Sequence, residues 1–232
     1  IKYTIYNKNI RLYSIFIVYF FILMYIILKI KVKEKDYMYE TRGSVYCYEG
    51  TNTLVNKLNI KDSEELESYE TSVVSLKLMA LNKKGITGNF DVAHFVSIHK
   101  FLFEDIYNFA GLFRTENIAK DYFQFAEWEY IESELERLLS ELKSENYLVG
   151  LSKEQFASRL AYYWAELNVL HPFREGNGRT TREFLRQLSL KNGYILNLYK
   201  VNSQELLNAS IKSIVDTSDL GNCLYKCLEP AN

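Results

Sequence analysis

Two prolines and ten glycines are the only strong helix breakers in this chain of 232 residues. Proline removes a backbone donor, and glycine costs a helix interior about 1 kcal/mol against alanine. A chain so poor in both is committed mainly to helices joined by short connections. Its 19 Tyr and 14 Phe supply large side chains to pack between them. The fold expectation is all-α, and the length suffices for one well-packed domain with some to spare.

The N-terminal part stands apart in composition. Residues 12–28, LYSIFIVYFFILMYIIL, carry no charge, and Lys8, Arg11, Lys29, Lys31, Lys33 and Lys35 flank them. This is the short edge of a bilayer span, about 17–25 residues. Three readings stay open: a membrane anchor, a signal-type apolar region, or an over-extended start, since Ile1 opens the chain and Met38 precedes the change in composition. Residues 1–37 are therefore set apart from a domain over 38–232. A membrane partner is expected only if residues 12–28 are a real anchor. The expected location is otherwise cytoplasmic: Cys47, Cys223 and Cys227 fit neither a disulfide framework nor zinc spacing, and suit a reducing compartment. Cys223 and Cys227, four apart, are expected as a buried apolar pair. A net charge of -1 argues against direct nucleic-acid binding.

Periodicity places a helix from about Lys61, opened by Asp62 and Glu65, with Tyr69, Val73, Leu76 and Met79 as its apolar stripe. A second helix is expected over about 91–109, carrying His94 and His99 as packing or hydrogen-bonding residues. Residues 112–126, LFRTENIAKDYFQFA, lack a helical stripe and read as a small β-hairpin or flap. A charged amphipathic helix follows over about 127–144. Ser152 and Gln155 then open a helix whose buried stripe is Phe156, Leu160, Trp164 and Leu167, with Ala157 and Ala161 admitting close neighbours.

That helix runs into HPFREGNGRTTREF, residues 171–184. Pro172 disfavours the helical conformation at His171, so the helix should stop there. Phe173 is the expected apolar anchor, and Arg174 the expected surface residue. Gly176 and Gly178 let the backbone approach a ligand closely, and a helix starting just after them aims free N–H groups and its positive end into the loop. That suits a phosphate. Asn177 can donate to a phosphate oxygen, while Arg179 and Arg182, three apart, can reach the same polyphosphate. Glu175 is placed to hold Mg2+ shared with substrate oxygens, and His171 is a base available near neutral pH. No P-loop motif is present.

Every fixed position of this stretch matches HPFx[D/E]GNGRxxR, so the chain resembles the Fic-domain adenylyltransferases, over roughly residues 46–228. The resemblance implies the Fic fold, a helical bundle with a small β-hairpin flap. It implies transfer of AMP from ATP, with Mg2+, to a Tyr, Thr or Ser hydroxyl of a target protein. His171 would deprotonate that hydroxyl and Glu175 would hold the metal. Gly176, Asn177 and Gly178 would form the anion hole, Arg179 and Arg182 would meet the outer phosphates, and Thr180 would belong to the same nucleotide-binding set. Lys120 and Asp121 would approach the nucleotide, and Tyr122, Phe123 and Phe125 would position the target on the flap.

Many members carry an inhibitory motif, [S/T]xxxE[G/N], whose glutamate pairs with the second motif arginine. Glu49, Glu116, Glu145 and Glu175 precede Gly or Asn here, but Val45, Leu112, Glu141 and His171 stand four residues earlier. No internal copy exists. The resemblance therefore implies the toxin of a toxin–antitoxin pair, restrained by a small antitoxin that supplies the glutamate. Similar toxins act on type II topoisomerases. Transfer of another phosphate-containing group, or a catalytically silent interaction module, are the alternatives.

Overall fold

The computed structural model describes residues 43–120 and 123–231. Residues 12–28, Asp121 and Tyr122 lie outside the described residues. Among the described residues no helix is long and apolar enough to cross a membrane.

The first helix, α1 (Ser63–Lys83), starts where expected, with the Asp62 carboxylate accepting the Glu65 N–H at 2.9 Å. Its buried face is a different one. Leu66, Glu70, Val74 and Leu81 point inward, whereas Tyr69, Leu76 and Met79 are 37%, 68% and 61% exposed. The inward stripe contains a glutamate, so an apolar count phased the helix wrongly.

Helix α2 (Val92–Phe103) is capped by Asp91 and stops six residues before the expected end. The N–H groups of Ile106 and Tyr107 both turn back onto the Phe103 carbonyl. Ile106 and Phe109 remain buried, so the turn buries the same face as the helix and prolongs its apparent period. The expected flap exists as β1 (Ala119–Lys120) and β2 (Phe123–Gln124), antiparallel with Lys120 opposite Phe123. After a 3-10 turn at Trp128–Tyr130 comes α3 (Ile131–Ser144), which buries Ile131, Leu135, Leu138, Leu139 and Leu142. Each such side chain contributes ~1.5–3 kcal/mol relative to exposure.

The central element is α4 (Lys153–Leu170). Its Ser152/Gln155 capping box is complete, and Phe156, Leu160, Trp164 and Leu167 are buried as expected. Helix α5 (Asn177–Lys191) leaves the motif and packs on both α2 and α4. Beyond it lie β3 (Tyr194–Leu196), α6 (Ser203–Lys212), α7 (Ser218–Cys227) and β4 (Leu228–Pro230). Strands β3 and β4 pair antiparallel, Leu196 opposite Leu228. Three residues each are too few for an alternating pattern to register in the sequence. Helix α7 lies along α4 so closely that a Cβ on Gly221 would sit 3.9 Å from that of Ala161. Cys223 and Cys227 are buried there, as expected.

Candidate active site

Helix α4 delivers His171. Its N–H closes the last turn on the Leu167 carbonyl at 3.1 Å, and the residue then adopts a left-handed conformation, φ 45° and ψ 60°. The Pro172 constraint ends the helix here as expected, through a left-handed residue instead of an extended one. His171 Nδ1 lies 3.2 Å from the Asn168 carbonyl. A carbonyl only accepts, so Nδ1 carries the proton and Nε2 keeps its lone pair. The Phe125 ring stacks on the imidazole at 3.8 Å between centroids. Burial pushes the imidazole pKa down to about 4, so it is neutral at pH 7.

Phe173 is fully buried and stacks on His99 at 3.7 Å, which makes it the anchor expected. His99 Nδ1 accepts the Gly111 N–H at 2.8 Å, and its Nε2 donates to the Glu175 carbonyl at 2.9 Å. The ring therefore holds a single tautomer and ties the turn after α2 to the motif loop. His94 is likewise buried and bonded, to Phe90 and Gln187.

Gly176 has φ 81°, and a Cβ there would fall 2.2 Å from a ring carbon of the buried Phe103. No side chain caps α5, so the leading N–H groups of Asn177, Gly178 and Arg179 have no hydrogen-bond partner among the described residues. The Arg182 guanidinium folds back over this helix start: a Cβ on Gly178 would lie 3.1 Å from its Nη1. Arg182 is exposed and forms no ion pair among the described residues. Surrounding protein and the nearby charge of Arg179 lower its pKa. Arg179 is held differently, its Nη2 2.6 Å from Glu70 and 3.1 Å from Glu175. The Glu175 carboxylate also accepts the Gly176 N–H at 2.8 Å and remains 35% exposed.

Several sequence expectations change. Asn177 does not offer its amide to a ligand: Nδ2 donates to the Phe173 carbonyl at 2.7 Å and Oδ1 accepts the Phe173 N–H at 2.8 Å. It closes the loop, and only its main-chain N–H is left for an anion. Thr180 is fully buried, with its hydroxyl donating to the Gly176 carbonyl at 3.0 Å, so this hydroxyl braces the helix start. Phe125, expected to position a target, is buried with its ring stacked on the His171 imidazole. Phe123 stands edge-on to Phe125, half-buried, and Lys120 is exposed on β1. Arg174 is no surface residue; it is 4% exposed and bonds Glu116 at 3.1 Å.

Sequence reasoning missed Arg114 altogether. Fully buried, it donates to the carbonyls of His171 at 2.8 Å, Glu116 at 2.7 Å, Leu170 at 3.2 Å and Ala126. One side chain thus fastens the end of α4 to the root of the flap. Its partners are main-chain atoms, which leave no signature in a sequence.

An all-α scaffold that offers an open helix start to an anion, with a neutral imidazole at hand, is built for transfer of a phosphate-bearing group. The Fic/DOC family profile matches residues 89–189. The chain is 41% identical over 188 residues to the protein adenylyltransferase VbhT of Bartonella schoenbuchensis, covering 81% of this chain and 39% of that protein. It is 37% identical over 151 residues to the probable protein adenylyltransferase Fic of Escherichia coli, covering 65% and 74%. Among solved structures, BepC of Bartonella tribocorum with bound AMPPNP superimposes with a TM-score of 0.75 at 27% identity, covering 81% of this chain and 97% of that one. The chain spans about two fifths of VbhT's length and three quarters of the E. coli protein's. It belongs to the Fic/DOC family, and both of these curated relatives bear the name protein adenylyltransferase.

Proposed function

We propose that the chain binds ATP with Mg2+ at the start of α5 and transfers AMP to a hydroxyl of a target protein. The observation that carries this reading is the uncapped helix start beneath an arginine with no acidic partner among the described residues, next to an imidazole whose Nε2 is unprotonated. The N–H groups of Asn177, Gly178 and Arg179 cradle phosphate oxygens, and Arg179 and Arg182 take the outer phosphates. The target oxygen attacks the α-phosphorus, the bond from that phosphorus to the bridging oxygen breaks, and pyrophosphate leaves. His171 Nε2 receives the hydroxyl proton. Negative charge on a bound nucleotide raises the imidazole pKa from its low resting value toward the working pH.

The metal fits the residues present. Mg2+ is held by one or two carboxylates and completes its shell with water and phosphate oxygens. Glu175 offers one partly exposed carboxylate at the helix start, and no richer cluster of acidic or imidazole ligands exists among the described residues. When bound, the ion neutralises charge on the phosphates. The paired strands β1 and β2 present an edge to which an extended target segment can add, and Lys120 lies close enough for its charge to reach His171.

Restraint of this activity falls to another protein. No described carboxylate pairs with Arg182, and the sequence has no [S/T]xxxE[G/N] copy. Both observations support a toxin held by a small antitoxin that supplies the missing carboxylate. Type II topoisomerases are the first target class to try. Labelled ATP decides the chemistry: label from the α-phosphate should reach protein and require His171, whereas label from the γ-phosphate alone refutes AMP transfer. Robust growth of cells making the active chain alone would count against the toxin reading.

A further inference from the structure

Glu70 is the one charged residue on the inward face of α1, 7% exposed among Leu66, Val74 and Leu81. A carboxylate so placed is strongly destabilising unless it is paired and hydrogen-bonded. Two donors satisfy it. Arg179 Nη2 approaches Oε1 at 2.6 Å, and the buried Tyr107 hydroxyl donates to Oε2. The Phe103 ring lies beneath the Arg179 guanidinium, 4.8 Å from its centroid. Burial raises the Glu70 pKa, and Arg179 and the Tyr107 bond oppose that rise.

Two carboxylates therefore share one guanidinium nitrogen, and they are not equivalent. Glu70 is enclosed and held from behind by Tyr107. Glu175 is 35% exposed and reaches Arg179 at the longer distance of 3.1 Å. Arg179 bonds both through Nη2, which leaves Nη1 and Nε without protein partners among the described residues. Three residues along the same helix, Arg182 has no such tether.

We propose that Glu70, braced by Tyr107, is a positioning residue that fixes Arg179 for the nucleotide's outer phosphates while leaving Glu175 free to turn elsewhere. This rests on the nucleotide reading given above. Without Glu70 the guanidinium loses its rigid partner and collapses onto Glu175. Arg182, untethered, adapts to the ligand, whereas Arg179 is set before the ligand arrives.

Calorimetric titration of the full chain with ATP and with AMP tests the proposal. Glu70→Gln should weaken ATP about ten-fold and leave AMP within about two-fold, because only ATP carries the outer phosphates. The same change in an Arg179→Ala background should no longer alter the ATP-to-AMP ratio, since the two residues act as one unit. Equal weakening of both nucleotides by Glu70→Gln, no weakening of either, or an effect that persists without Arg179 overturns the proposal. If Arg179→Ala itself leaves ATP affinity unchanged, the phosphate role of Arg179 falls instead. Should Glu70→Gln fail to fold, Tyr107→Phe decides: it keeps the ring, removes the brace, and should shift the ratio in the same direction by about three-fold. An unchanged ratio in Tyr107→Phe then refutes the brace.

Discussion

Gly176→Ala isolates the backbone demand at the start of α5. The residue sits at φ 81°, where a side chain costs roughly 1–2 kcal/mol against the right-handed region. The new methyl would also meet Phe103 Cε2 at 2.2 Å and Cζ at 2.3 Å, and Phe103 is fully buried. Overpacking of this kind costs about 1–3 kcal/mol more, because a core ring has to move. The sum, about 2–5 kcal/mol, corresponds to a fall in Tm of roughly 4–20 °C for a domain of this size. Gly178→Ala is the internal control. Its Cβ would approach only the tip of Arg182, at 3.1 Å, and its φ is not in the left-handed region. Alanine is also the better helix former. Gly178→Ala should therefore keep or slightly raise Tm while displacing Arg182 and weakening ATP. Thermal denaturation followed by circular dichroism, paired with ATP titration, measures both. A Gly176→Ala protein melting within about 2 °C of the parent would falsify the account of this turn.

Other consequences are equally open to measurement. Arg114→Met should strand buried carbonyls at His171, Leu170, Glu116 and Ala126 and cost at least ~3 kcal/mol, read as a large Tm loss or insolubility. A freely folded variant with parental Tm would show that those bonds are not needed. NMR titration of the unliganded chain should place the His171 imidazole near 4, against 6.5 for a free ring, and a midpoint at 6.5 would contradict its enclosure. His99 is also held near 4 by burial. Both rings are neutral in the fold, while the unfolded chain takes up protons below about 6.5. Their contribution is thus fully present above 6.5 and is lost as pH falls toward 4. Urea midpoints across this window should decline with acidity, and a flat profile would refute that linkage.

The sequence made the motif legible because its parts are contiguous. One proline, two glycines and a terminal aromatic dictate a helix end, a tight loop and a new helix within a dozen residues. What stayed hidden acts across long separations or through the main chain. Glu70 reaches a residue more than a hundred positions away, and its charge disguised the buried face of α1. Arg114 has only carbonyl partners, which any residue type can supply. Asn177 and Thr180 were visible as polar residues, but whether their groups face a ligand or their own loop is decided by a single turn of backbone. The short strands β3 and β4 lie below the length at which periodicity speaks.

The root of the flap and the His171 imidazole share their supports: Phe125 lies against the ring of His171, and Arg114 grips carbonyls on both sides. On the paired strands, Lys120 and Gln124, one on each face, carry none of that burden and stand exposed. On the function proposed above, changes at these two positions would alter which polypeptide is accepted while the reacting groups keep their alignment. In such an arrangement the choice of target can drift over evolution without the chemistry having to be rebuilt each time.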